Sequence, residues 1–416
     1  MSLLEDFIKD LNYIETAKRD KKFTRIRSID FVKGLAICLI IVGHTGEQWV
    51  SDAWRWAHAM LFPILDVFGP SLFIFLSALS VVFSCKKKEC VIPERVIRQG
   101  IYLRTIIVLL LGVVFNITTS PPTAIYPFPS NLFGWNILMF IGFSQIFCYY
   151  AIKISRELRI VSAILIVFFA DPIRQYMYLN KDSNPIIFVI HYLLVSPAPH
   201  NPLFPYIALA LFSTIYGEYI FEAMIFETPD AYMETFKTFI RHGIIFTIAG
   251  VLFGAEIIGA NGLPPDDYIF VQLIPIMQEA PPWALQINGL PRFIIRGTGS
   301  NILYVLGMAL LIIGISFYLI DYKHLKNPFQ NNIINMWVFY GRVSLSIFFI
   351  HYIGAFFFYR ALDVVFFFPI IIPWIGFLGL LMYLWNKEAD GVGSFEWLIS
   401  NMGKSKKKKK PKSSLV

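Results

Sequence analysis

Four ionisable side chains interrupt two apolar stretches early in the chain: Lys33, His44, His58 and Asp66. They fall within RIRSIDFVKGLAICLIIVGHTGEQWV and SDAWRWAHAMLFPILDVFGPSLFIFLSALSVVFS, which together run from Arg25 to Ser84. An ionisable group inside an apolar span is costly, so its default reading is functional. Histidine titrates near neutrality and a neighbouring carboxylate can orient it, which suits His58 and Asp66 to general-base chemistry. His44 comes eleven residues after Lys33, roughly 16 Å further along a helix. The arrangement repeats late in the chain, where His351 follows Arg342 by nine residues, roughly 13 Å. Two separate spans thus predict an imidazole at similar depth above a basic anchor. A third group, Arg95, Arg98 and Arg104, follows the basic run KKKE, and Arg95 and Arg98 share one helix face. Guanidinium groups so placed suit a phosphorylated donor.

Each of these residues also has a structural alternative. Lys33 alone reads as a snorkelling anchor, and His44 as a hydrogen bond between helices. His58 is also explained as an interfacial neighbour of Trp49, Trp54 and Trp56, and the arginines by membrane topology. Asp66 is equally a helix-start residue favoured by the dipole, and Pro63 leaves its contact with His58 open. His191 and His200, in outer irregular segments, and His242 and His324, near the inner boundary, are weaker candidates.

Groups at these depths need a membrane scaffold, and the composition supplies one. The 416 residues are 56% hydrophobic and only 15% charged, against roughly a quarter charged in soluble domains. This predicts an all-α polytopic membrane protein. Spans of about 20 apolar residues are expected near 33–50, 66–84, 101–117, 134–152, 160–173, 203–221, 242–258, 301–320, 336–358 and 364–385, about ten in all. The stretch 186–196 is too short to cross, and 222–241 reads as an inner amphipathic segment lying on the membrane. Basic clusters fall on one side: Lys18 to Arg27, Lys86 to Lys88, Arg95, Arg98, Arg104, Lys153, Arg156, Arg159 and the tail KSKKKKKPK. The positive-inside rule then makes both termini cytoplasmic. It also accounts for the net charge of +8 without a nucleic-acid partner. Residues 1–32 form a polar, partly amphipathic arm with no signal-peptide core, 33–400 the membrane domain, and 401–416 a disordered basic tail suited to anionic lipid.

The outer loops at 118–130, 196–205 and 257–300 are Pro-rich; a lid over a substrate chamber and plain exposed connections are both open. Cys38, Cys85, Cys90 and Cys148 match no zinc spacing, so no metal is expected. Walker, dinucleotide, HExxH and GxSxG signatures are absent.

These motifs resemble the transmembrane acyltransferase superfamily, which takes in the heparan-alpha-glucosaminide N-acetyltransferase family, acyltransferase family three and the YeiB-type membrane proteins. RIRSIDFVKGLAICLIIVGH is similar to their first-span signature, with Lys33 and His44 at its basic and histidine positions. HAMLFPILDVFGPSLFIFLSALS resembles the heparan-type motif, which places His58 at the catalytic histidine and Asp66 at its acidic companion. NPLFPYIALALFSTIYG, YGRVSLSIFFIH and GSFEWLIS resemble later family segments. Ala78 stands where the family has Gly, Lys33 where it more often has Arg, and His44 where heparan-type members have Asn.

The resemblance implies an acyltransferase domain that takes acyl-CoA, most simply acetyl-CoA, as co-substrate from the cytoplasm, with no permanent cofactor. It implies a saccharide or glycolipid acceptor on the opposite side, in what is expected to be the cell membrane. His58, Asp66 and His44 would be catalytic, Lys33, Arg95, Arg98 and Arg104 would hold the donor, and Arg342 and His351 would line the chamber. A transporter or flippase for a lipid-linked saccharide, a catalytically silent scaffold, and association into a homodimer all stay open.

Overall fold

The computed structural model describes residues 26–89, 92–119, 128–195, 200–324 and 327–402. Residues 1–25 of the expected arm, 403–416 of the expected tail, and 120–127 and 196–199 of the Pro-rich loops lie outside them. The described chain is an all-α polytopic membrane protein whose one small sheet pairs β1 (Ile257–Ile258) with β2 (Leu290–Pro291).

Helix α1 (Arg27–Trp49) is the axis of the site. Its first amides, on Arg27 and Ser28, donate to the Asp321 carboxylate at 3.1 Å each. A carboxylate there satisfies donors that have no partner inside the helix. The chain returns antiparallel as α2 (Arg55–Phe68) and α3 (Pro70–Glu89). Glycines set how closely they lie: a methyl group on Gly43 would come within 3.1 Å of Phe62, and one on Gly69 within 3.2 Å of Ile40. The helix continues through Pro63 and breaks at Gly69, which puts Asp66 in the last turn of α2 rather than at a helix start.

The remaining helices are α4 (Glu94–Thr119), α5 (Ile137–Ala151), α6 (Arg156–Asn180), α7 (Pro185–Leu194), α8 (Leu203–Phe226), α9 (Pro229–Phe253), α10 (Leu273–Gln278), α11 (Gly299–Ser316), α12 (Pro328–Arg342), α13 (Ser344–Ile350), α14 (Val364–Ala389) and α15 (Phe395–Met402). Among the described residues, eight helices are long and apolar enough to cross a membrane, with α2 and α3 together as one broken span. The pair α12 and α13, bent by 70°, is apolar enough to cross only when the two are taken together. The segment expected near 134–152 is α5, only 15 residues long. Helix α8 is buried over 78% of its apolar stretch and α1 over 67%, whereas α9 and α14 reach 17% and 22%. The former are therefore central, and the latter form the rim that meets lipid. Helix α9 corrects the expected surface segment at 222–241, because residues from Pro229 onward belong to one continuous span.

Helix α12 crosses α1 where two glycines meet backbone. A methyl group on Gly341 would overlap the carbonyl oxygen of Asp30, and one on Gly34 that of Trp337. Gly341→Ala is expected to destabilise the protein by about 1–3 kcal/mol, the usual cost of forced overpacking. A thermal melt in detergent indistinguishable from wild type would refute this crossing.

The segment between α9 and α11 is a packed lid, not a string of exposed connections. Its core of Tyr268, Phe270, Val271, Ile274 and Met277 closes onto Ala59 of α2. Polar clamps tie it down. Asp267 meets Nε2 of the buried His191 at 2.9 Å. Arg174, fully buried, donates to the carbonyl oxygens of Gly297, at 2.7 Å, and Asp267. Arg292 pairs with Asp171 at 3.3 Å and Glu256 at 2.9 Å.

Candidate active site

His58 lies in the second turn of α2, directly against α1. Gly46 makes the approach possible, since a methyl group there would fall 2.6–2.8 Å from the imidazole. Its Nε2 meets the carbonyl oxygen of Gly43 at 2.9 Å. A carbonyl oxygen only accepts, so in the neutral ring Nε2 carries the proton and Nδ1 holds the lone pair.

Asp66 does not hydrogen-bond His58. Its carboxylate forms a buried ion pair with Arg296 of the lid, with Nε to Oδ2 at 3.1 Å and a second bond from Nη2 to Oδ1. The same guanidinium donates to the His200 carbonyl oxygen at 2.8 Å and lies over the Phe270 ring, 4.8 Å from its centroid. Two parallel charge-assisted bonds fix orientation as well as distance. The His200 side chain is exposed, so Arg296 holds the backbone of this residue rather than its imidazole.

His44 and His351 meet, with ring centroids 5.8 Å apart. They do so although α12 and α13 break at Val343, so the straight-helix depth assumed for His351 does not apply. What aligns them is a parallel run beside α1: Arg27 reaches Asn331 and Asn335 at 2.9 and 2.7 Å, and Val50 bridges Leu362 in parallel. Nδ1 of His44 lies 3.1 Å from the Tyr352 hydroxyl. Among the described residues, neither ring nitrogen of His351, which is 2% exposed, has a hydrogen-bond partner. Helix α13 is held by Glu396 of α15, whose carboxylate accepts from the amides of Leu345 at 2.8 Å and Ser346 at 3.0 Å and from the Ser346 hydroxyl.

The basic residues stand apart from these histidines. Lys33 donates to Ser80 at 2.7 Å, and Arg342, half exposed, pairs with Asp30 at 3.7 Å. Arg95 and Arg98 are exposed near the start of α4, and Arg104 is half-buried in the same helix. Lys86, Arg156 and the buried Arg159 converge on Glu218 at 3.3, 2.7 and 2.9 Å.

Sequence reasoning missed Arg296, Tyr352 and Glu396 and ranked His200 low. One signal for Arg296 was available: an arginine among outer-loop residues, immediately before Gly-Thr-Gly at the start of an apolar span, runs against the charge bias of the chain.

The helical membrane domain thus brings His44 into ring contact with His351 and with Phe62, which also meets His58, beside the packed segment between α9 and α11. The sequence model of the heparan-alpha-glucosaminide N-acetyltransferase catalytic domain matches residues 25–252, more than half of the chain, and the chain belongs to that family. His44, His58 and Asp66 lie within the matched part, and Arg296, His351 and Tyr352 beyond it. No curated protein matches the chain.

Proposed function

We propose that the protein moves an acyl group, most simply acetyl, from cytoplasmic acyl-CoA to an amine or hydroxyl of a saccharide or glycolipid on the extracytoplasmic side. The observation that supports this is the gathering of His44, His58 and His351 about Phe62 and Tyr352 in a member of an N-acetyltransferase family. His58 Nδ1 takes the proton of the acceptor as its nitrogen or oxygen attacks the thioester carbonyl. The new N–C or O–C bond forms, the C–S bond breaks, and His58 returns the proton to the departing thiolate. Asp66 acts through Arg296, which holds the lid and His200 against the chamber. The Tyr352–His44 pair lines the opposite wall.

Lys33, Arg95, Arg98 and Arg104 serve the donor phosphates from the inner side. The distribution of basic residues supports that side as cytoplasmic, with ten crossings if the bent pair and α5 both span and both termini inside. The test is purified full-length protein in proteoliposomes with acetyl-CoA and an amino sugar. Stoichiometric release of CoA with acetylated sugar is the expected result. Protein-dependent movement of a lipid-linked saccharide without CoA release would establish transport instead.

A further inference from the structure

His58 has a second neighbourhood that the transfer chemistry does not use. On the side of α2 away from the lid, a cavity of about 170 Å³ is bounded by Val42 of α1, Val50 just past its end, Leu61 and Leu65 of α2, and Val364, Phe367 and Phe368 of α14. The surface facing it is apolar throughout, and His58 lines it with ring carbon. Its lips, Leu61 and Phe368, are 41% and 44% exposed on membrane-spanning helices, so it opens sideways into hydrocarbon. Neighbouring Ile64, Val365 and Phe366 extend that apolar surface.

The level of the opening is fixed by aromatic side chains. Trp54 and Trp56 stack at 5.7 Å where α2 begins, and Trp283 of the lid packs edge-on against both. Tryptophan gathers at the boundary between headgroups and hydrocarbon. His58 lies two to four residues further along the helix, roughly 3–6 Å inside that boundary. Leu65 lies seven residues beyond His58, roughly 10 Å deeper.

We infer that this groove holds the first part of a hydrocarbon chain carried by the acceptor, so that the acceptor class is a lipid-linked saccharide entering sideways from the leaflet. The inference rests on His58 as the acyl-transfer base. A purely water-soluble sugar gains nothing from an apolar slot that opens into lipid. An acceptor anchored by a chain gains registration: with the chain between α2 and α14, its headgroup sugar stands at the aromatic boundary, within reach of His58. The cavity is smaller than the roughly 300–1,000 Å³ that encloses a whole drug-sized ligand. It fits part of a chain whose remainder stays in the bilayer.

The test uses full-length protein in phosphatidylcholine proteoliposomes and an octyl glucosaminide with a diazirine at the end of its chain. After photolysis, peptide mass spectrometry should place adducts on Leu61, Leu65, Val364 and Phe368. Their density should exceed that on lipid-facing residues of α6 and α9 by about tenfold, equivalent to about 1.4 kcal/mol. Unlabelled octyl glucosaminide should suppress them and methyl glucosaminide should not. Even labelling of all lipid-facing helices would overturn the inference. So would equal labelling by a diazirine phosphatidylcholine, or suppression by decanoyl-CoA in place of the glycoside, which would assign the groove to annular lipid or to the donor chain. None of these readouts needs turnover. Specific labelling without any acetylated glycoside from acetyl-CoA would retire the transferase reading, while even labelling with normal acetylation would retire only the groove.

Discussion

Replacing His58 with glutamine should lower kcat/KM for acyl transfer by about 10²–10⁴-fold, the range a positioned general base contributes. Glutamine is the informative replacement. Its amide can still donate to the Gly43 carbonyl oxygen, the bond now made by Nε2 at 2.9 Å, but its amide oxygen is too weak a base to replace Nδ1. The packing of α2 on α1 therefore survives while the proposed chemistry is lost. His44→Ala should have the smaller effect, because His44 contacts Tyr352 and His351 across the chamber rather than holding the base. Single-turnover assays in proteoliposomes separate the two. Full transfer by both variants would sink the mechanism.

Arg296→Met should destabilise the protein by about 3–5 kcal/mol, because it strands a buried carboxylate. Asp66 is 2% exposed and Arg296 5%, so water cannot compensate for a missing partner. The double variant Asp66→Leu/Arg296→Met should recover most of the loss, since a buried ion pair replaced as a unit is often neutral. Recovery of stability without recovery of activity is expected, because the lid and the His200 carbonyl lose their shared donor. Thermal unfolding in detergent measures the first part and acyl transfer the second. Equal melting of single and double variants would show that the pair is not energetically coupled.

How much of this was legible in the sequence depends on the range of the signal. Hydropathy is local, so the spans and the all-α class could be read directly. Hydropathy misassigned 222–241 and gave no sign of the 70° bend inside 336–358: an amphipathic start and an apolar finish are one helix when packing against α11 covers part of the polar turn, and only the partner reveals that. His44, His58 and Asp66 stood out because ionisable groups rarely interrupt apolar runs. Their partners did not. Arg296 sits 230 residues from Asp66 in a loop without periodicity, and nothing local marks it beyond an unexpected outer positive charge. The repeated spacing of Lys33 with His44 and Arg342 with His351 did point to two imidazoles that meet, although the bend at Val343 means that straight-helix arithmetic was not the physical cause. The contact follows from α1 running parallel to the chain that carries His351.

The clamp of Glu396 on α13 bears on how the protein is made. Residue His44 is synthesised 307 residues before His351, an interval of roughly 15–60 s at about 5–20 residues per second. Glu396, which anchors the helix leading to His351, follows later still. Until Arg296 is made, the first helices occupy the membrane with Asp66 lacking its arginine, and His44 waits longer for Tyr352. A ribosome that stops before Arg296 leaves a nascent chain whose first spans are inserted but whose buried carboxylate is still unpaired. The contact of His44 with His351 and Tyr352 is thus a late event in translation.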